Sequence, residues 1–412
     1  MDVLVKAGSS FLPRQVLAKF DAVNSKSNRI LWLSVLTLPL GAQTYEDLTT
    51  FRNQPMPYSQ FIQVRAGALG SIAGVNSADA ADSGLGDKIV ADGSVFYHDA
   101  EFGGERKGQL DVYAGRDGVY AGVRDGDVVD GAVSRIELKA QIWPFYREGF
   151  YNDNQNFVPT GQYAGRDYEA YLGVGREVAE KLFIEVGSYY RLYQFSTDDA
   201  TSSTYTVPDD YNAYGFRSYI EQRTTQLDRR SGLPLEGFCI SLIIENEWND
   251  SVGQFGSELF LSDLPKNVYR GRARLEWFIP QSTDCTWEVF ATGIMVDDKD
   301  RVVEYETQHL QGSRWLDAQL RFRILFGDSV SLAPFVQGQY TSILTENGLN
   351  TDEQFFYGGG CDAWLHLSDM FSVNAWYSYV NNESRPSVSI FEDIHGEHMF
   401  YAGLVARFGA KR

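Results

Sequence analysis

The residues best placed to do chemistry are charges set at every second position. Arg270, Arg272 and Arg274 are followed by Glu276, while Gly271, Ala273, Leu275, Trp277 and Ile279 take the alternate places. Arg321 and Arg323 follow Asp317 and Gln319 in the same manner, opposite Leu316, Ala318, Leu320, Phe322, Ile324 and Phe326. Arg191, Arg217 and Arg223, with Glu185, Glu221 and Glu245, stand in like positions in other segments. A period of two sends alternate side chains to opposite faces of a strand. Charges gathered on one face can line a pore and select solutes by sign. They can equally pair with one another and hold a sheet in shape, and the two roles are compatible.

Other chemistry finds weaker footing. Of the five histidines, His395 and His398 form HGEH around Glu397 in an expected outer loop, where two ligands lack the rigid scaffold a metal needs. His366 lies near Ser368 and Ser372, the nearest approach to a hydrolase pair, but a third orienting group is also required. No nucleophile elbow, phosphate-binding loop or dinucleotide fingerprint occurs, so no catalytic residue, metal or cofactor is expected. Cys239, Cys285 and Cys361 are odd in number and far apart, without disulfide or zinc spacing, and each is expected to pack as a small apolar side chain. Gly358, Gly359 and Gly360 are flanked by strand residues and are expected to ease a bend or a close contact.

The elements that carry these residues read almost wholly as strands. Ile184, Val186, Tyr190 and Leu192 oppose Glu185, Gly187, Tyr189 and Arg191. Phe400, Ala402, Leu404, Ala406 and Phe408 oppose Tyr401, Gly403, Val405 and Arg407. Sixteen strands are counted near 59–71, 93–100, 108–116, 118–124, 133–146, 166–178, 182–195, 211–224, 238–246, 268–280, 285–296, 315–326, 329–342, 354–367, 370–381 and 398–408. Fourteen is the fallback, because 93–131 is glycine-rich and hard to divide. Connections alternate between long (147–165, 196–210, 247–267, 297–314, 343–353, 382–397) and short (178–181, 281–284, 327–328, 367–369). That asymmetry predicts an all-β fold, a closed antiparallel transmembrane β-barrel with long outer loops and tight periplasmic turns. Aromatic clusters near strand ends (Trp143, Phe145 and Tyr146; Trp248; Trp277 and Phe278; Trp315; Trp376, Tyr377 and Tyr379) are expected to form interfacial girdles.

Composition narrows the partners. The 412 residues carry a formal charge of −19, which argues against nucleic acid, since phosphate binding needs a basic face. At the start, Arg14, Lys19, Lys26 and Arg29 precede the apolar run Ile30 to Leu40, then Gly41 and Ala42. This reads as a signal peptide over 1–43, cleaved near Ala42 or Gln43, with the barrel occupying 44–412. No later segment has the ~18 apolar residues of a spanning helix, so a membrane home requires strands.

The stretch Thr225 to Asn246, TQLDRRSGLPLEGFCISLIIEN, resembles a periplasmic hairpin of the BamA-like bacterial surface-antigen family, on Asp228, Arg229, Pro234, Glu236 and Gly237. The following VYRGRARLEWFIPQSTDCTWEVFATG is similar to the family's next strand–turn–strand, and the end through Phe408 to its closing strand. Glu304 to Arg314 occupies the place of the family's inward-folding loop, with Gly312 and Arg314 as its remnant. The Arg-Gly-Phe type motif of that loop is not intact, because Trp315 and Leu316 follow Arg314. The resemblance covers about the last 200 residues well. It implies a barrel with a structural, assembly or transport role rather than an enzymatic one, and the sequence departs from the family in leaving no room before residue 59 for its periplasmic repeats.

The alternative is a porin-like diffusion channel for small solutes, and a barrel lipid hydrolase is a third class. The expected setting is the bacterial outer membrane, with its lipid and lipopolysaccharide as neighbours and the barrel-assembly machinery as partner during biogenesis.

Overall fold

A computed structural model describes residues 45–411, apart from 76–87, 104–107, 130–131, 152–156, 198–200, 228–232, 258–259, 297–311, 345–350, 382–393 and a few further positions. The expected signal peptide lies outside the described residues. The chain enters through a short helix, α1 (Tyr45–Thr50), ahead of the first expected strand.

The wall begins with β1 (Gln60–Val75), β2 (Lys88–Phe102), β3 (Gly108–Gly115), β4 (Val119–Val129), β5 (Ala132–Tyr151), β6 (Phe157–Ala179), β7 (Leu182–Ser196) and β9 (Tyr211–Arg223). It continues through β11 (Pro234–Asn249), β14 (Asn267–Pro280), β15 (Cys285–Val296), β16 (Gly312–Phe326), β17 (Val330–Leu344), β18 (Thr351–His366), β19 (Phe371–Val380) and β20 (Ile394–Lys411). Successive wall strands pair antiparallel, and β20 returns to β1 in a register running from Gln60–Lys411 to Val75–Ile394. The result is a closed barrel of 16 strands. Closure pairs the backbone groups that would otherwise lie open in hydrocarbon and removes the sheet edge. Three short strands, β8 (Tyr205–Thr206), β12 (Gln254–Ser257) and β13 (Phe260–Asp263), form a separate sheet within two long connections. The two-residue β10 (Gln226–Leu227) is a spur on β11.

The pleat sorts the side chains as the alternation requires. Ile136, Leu138, Leu172, Val174, Val186, Phe216, Leu320 and Val336 are exposed on the outside, whereas the charged residues between them are buried. An apolar exterior of this extent suits hydrocarbon, not water.

Several boundaries depart from the sequence reading. The expected loop 147–165 is largely a hairpin, because β5 and β6 keep pairing from Tyr146–Tyr163 out to Tyr151–Phe157. Pro144, which has no N–H to donate, falls at a register shift between Trp143 and Tyr146, where a bulge tolerates it. The β5 backbone also approaches β17, a strand on the far side of the barrel. The β3–β4 connection is short although it lies at the long-loop end, with the Gly115 N–H donating to the Gly118 carbonyl at 2.9 Å. The HGEH segment is no loop, since β20 begins at Ile394; His398 bonds the Tyr377 hydroxyl at 2.7 Å.

The aromatic girdle also needs correction. Trp277 and Tyr377 are exposed on the outer face, but Phe278, Trp315 and Trp376 are buried on the inner one. They share the parity of the inward polar residues of their own strands, and a side chain's face follows parity rather than its polarity. Trp315 and Trp376 pack inside with Leu69, Ile294, Met399 and Tyr401.

Candidate functional site: the barrel lumen

All twelve charged residues singled out from the sequence stand on the inward face, in four groups. The first is centred on Glu169 of β6, which receives Arg217 of β9 through two parallel bonds, Nη1–Oε1 at 2.9 Å and Nη2–Oε2 at 2.7 Å. Arg191 of β7 donates Nε to the same carboxylate at 2.7 Å, and Lys139 of β5 reaches it at 2.7 Å. The network extends to β11 and β14: Arg217 donates to Glu245 at 2.6 Å, and Arg191 to Glu245 at 3.1 Å and to Glu247 at 3.0 Å. Arg270 donates to Glu247 at 2.8 Å. Four cations and three carboxylates from six strands thus form one cluster, which burial would forbid to any of them alone.

A second group joins Glu185 to Arg135 Nε at 3.0 Å and to the Tyr171 hydroxyl at 2.8 Å, while Glu137 accepts from Tyr120 at 2.9 Å. The third holds Glu221 with Arg223 at 3.3 Å and Glu276 with Arg274 at 3.1 Å. Arg272 is half-buried between Arg270 and Arg274 on the same face. In the fourth, Arg323 pairs with Glu288 at 2.5 Å and 3.1 Å and approaches Asp362 at 3.6 Å. Its neighbour Arg321 lies over the rings of Phe290 at 4.7 Å and Phe335 at 5.2 Å.

Lys139, Glu169, Arg135, Glu137, Glu247, Glu288 and Asp362 were not singled out from the sequence. The same alternation carried through 133–146 and 166–178 would have found most of them.

The N-terminal segment contributes what periodicity could not. Leu48, Met56, Tyr58 and Phe61 pack against the inward rings of Phe96, Tyr113 and Tyr120 on β2, β3 and β4. Asn53 accepts a hydrogen bond from Arg124 of β4 at 2.9 Å. Phe51 lies under the guanidinium groups of both Arg223 and Arg274, 4.7 Å from each, on β9 and β14. The segment therefore crosses the lumen from one wall toward another, near the short-turn end.

The remaining candidates fall as follows. His366 and Ser372 are brought together as a cross-strand pair, Nδ1 to Oγ 3.1 Å, on the inward face at the short-turn end. That position is away from the lipid-facing wall that a lipid hydrolase would use. Cys239 is buried on the inward face between charged strands, so it does not pack in an apolar setting as expected; its parity matches Ser241 and Glu245. A Cβ at Gly358 would run into the Tyr379 carbonyl and one at Gly360 into that of Tyr377, so these glycines permit a close approach of β18 to β19.

The hairpin residues Asp228 and Arg229 lie outside the described residues. Pro234 opens β11, and Gly237 has φ +99°, where a side chain would meet the Thr224 carbonyl. Gly312 and Arg314 do not form an inward loop: both belong to β16, and Arg314 is exposed, on the parity of the lipid-facing Leu316. Ladder pairing with Met295 and Ser342 leaves its side chain no inward choice.

A closed antiparallel barrel with an apolar exterior and an ion-paired interior is the architecture of outer-membrane β-barrels. Among solved structures the chain is similar in fold to CdiB from Acinetobacter baumannii, at 10% identity and a TM-score of 0.50, over 84% of this chain and 60% of that one. BamA from Haemophilus ducreyi lacking POTRA domains 1–3 (TM-score 0.47, 11% identity, 85% of this chain and 70% of that) and Pseudomonas putida OprB (0.47, 10%, 85% and 94%) align less well. The chain thus spans about three fifths of the CdiB chain it matches. No family model and no curated protein matches the sequence.

Proposed function

We propose that this chain is a bacterial outer-membrane barrel with a transport or assembly role whose resting lumen is closed, and not a constitutively open diffusion porin. A barrel of 16 strands is wide enough to leave an aqueous channel. Here Glu137, Glu185, Glu276 and Glu288 are 0% exposed on the inward face, and the N-terminal segment stands across the turn end. The observation that carries the reading is Phe51 held between Arg223 and Arg274. The hairpin resemblance at Pro234 and Gly237 favours a relative of the BamA-like surface-antigen barrels, acting in assembly or transport rather than catalysis.

Conductance of the purified chain in a planar bilayer tests it. A folded, heat-modifiable barrel without stable openings is expected. Stable openings whose ion selectivity changes on Arg272→Glu or Arg321→Glu would instead establish the porin reading.

A further inference from the structure

The barrel wall is not of even height. On β2 the outward positions Ile89, Ala91, Gly93, Val95 and Tyr97 form an apolar run, with Ile89 71% and Val95 47% exposed. At ~3.3 Å per residue and a tilt near 40°, that run spans about 20 Å of the membrane normal, close to a full apolar band. The neighbouring hairpin is much shorter. Its outward apolar residues are Leu110, Val112 and Ala114 on β3 and Val119, Ala121 and Val123 on β4, and β3 ends at Gly115 opposite Ser94.

Above that level, β2 from Lys88 to Gly93 is paired with β1 only, and β5 beyond Ala140 is paired with β6 only. Among the described residues, two strand edges face each other over a hairpin that stops partway up the band. The register shift at Pro144 lies above the last β4–β5 pair, Val119–Ala140, and β5 also approaches β17 across the barrel. Unpaired backbone at membrane depth is tolerated only where protein buries it or where it lines an open cavity.

Behind the gap, the lumen changes character. The inward face of β5 to β14 is ionic, but Leu69, Ile294, Trp315, Trp376, Met399 and Tyr401 form a buried apolar cluster on the other side. Leu69 of β1 is the ladder partner of Val90 on the open-edged part of β2. Below it, Arg65 pairs with Asp92 at 3.0 Å, a polar pair beneath the apolar cluster.

We propose that the notch between β2 and β5, above the β3–β4 hairpin, is a lateral portal. It admits the acyl chain of an outer-leaflet lipid from the bilayer to the apolar cluster at Leu69, Trp376 and Tyr401. The inference rests on the membrane placement proposed above.

The test reconstitutes the full chain in phosphatidylcholine vesicles containing a phosphatidylcholine with a diazirine on one acyl chain. After illumination, adducts are mapped by mass spectrometry. Adducts are expected on the outward Val95 and Tyr97 and also on the inward Leu69, Trp376 and Met399. An added Cβ at Gly93 meets only the Arg65 carbonyl, at 3.4 Å, and Gly93→Trp on this outward position obstructs the notch. It should cut inward adducts at least fivefold and leave those on Tyr97 unchanged; Ala91→Trp is the second variant if Gly93→Trp fails to fold.

Adducts confined to outward residues would overturn the portal alone. Inward adducts unchanged by both variants would also overturn it, since the chain then enters by the mouth. Absence of adducts anywhere would overturn the membrane placement, and the portal with it.

Discussion

Glu169 and Arg217 are joined by a two-pronged bond although β7 stands between their strands, so the barrel's curvature, its strand stagger and the length of the two side chains together bring them within reach. Arg191 of β7 and Lys139 of β5 complete the cluster around that carboxylate. Glu169→Ala removes the carboxylate that three buried cations share and should destabilise the barrel by about 3–5 kcal/mol, the usual cost of breaking a buried pair from one side. Urea unfolding in lipid vesicles, followed by tryptophan fluorescence, measures it. The double variant Glu169→Ala/Arg217→Met should be less destabilised than the sum of its parts, since the two residues share one network. A loss under about 1 kcal/mol for Glu169→Ala would refute the cluster's structural role.

Phe51 contributes its ring face to two guanidinium groups, each contact worth roughly 0.5–2 kcal/mol. Phe51→Ala should loosen the N-terminal segment with little effect on the wall. The expected outcome is a rise in transient openings in planar bilayers, with heat-modifiable mobility unchanged. A silent bilayer for both proteins would place the closure elsewhere.

Tyr189 lies over Gly215, where an added Cβ would run into the Asn246 carbonyl and come within 2.6 Å of the tyrosine ring and hydroxyl. The same ring supports Arg191 at 4.4 Å and Arg217 at 5.1 Å. Gly215→Leu must displace it and disturb the ionic cluster, a cost of at least about 1–3 kcal/mol from overpacking alone. A lowered urea midpoint, with Tyr189→Ala/Gly215→Leu recovering part of the loss, is the expected result.

At the long-loop end, Asp250 is held below the usual carboxylate range by the Asn212 side chain, which donates to it at 2.9 Å, and by the Asn212 N–H at 2.7 Å. A carboxyl with a lowered folded pKa lends its stabilisation in full above the unfolded value of about 3.9 and loses it as pH falls through the folded value. Hydrogen exchange near Asn212, corrected for intrinsic rates, should therefore be slow at pH 5 and accelerate once the pH is taken below the ordinary carboxylate range. Asp250→Asn should already exchange faster at pH 5. Protection that persists to pH 2 would show that the carboxylate form is not needed.

Much of the wall was legible from alternation. Arg270 to Ile279 and Leu316 to Phe326 place every side chain on the face their parity requires, because a strand's period of two leaves no third option. Boundaries were less legible where pairing outlasts the pattern, as in the β5–β6 hairpin beyond Pro144. The girdle misled at Trp315 and Trp376, since an aromatic ring near a strand end can face either way and only parity decides.

Taken alone, the amino-acid order determined the strand count, the apolar exterior and the identity of the twelve inward charges, all local consequences of pleat and turn. Only the closed tertiary structure decided which charges meet, because Glu169 and Arg217 lie 48 residues apart and are aligned by curvature and stagger. It also decided that Phe51 enters the lumen and that the β3–β4 hairpin leaves the wall low. Neither is written in any local period: the first depends on an enclosed space, the second on neighbouring strands of unequal height.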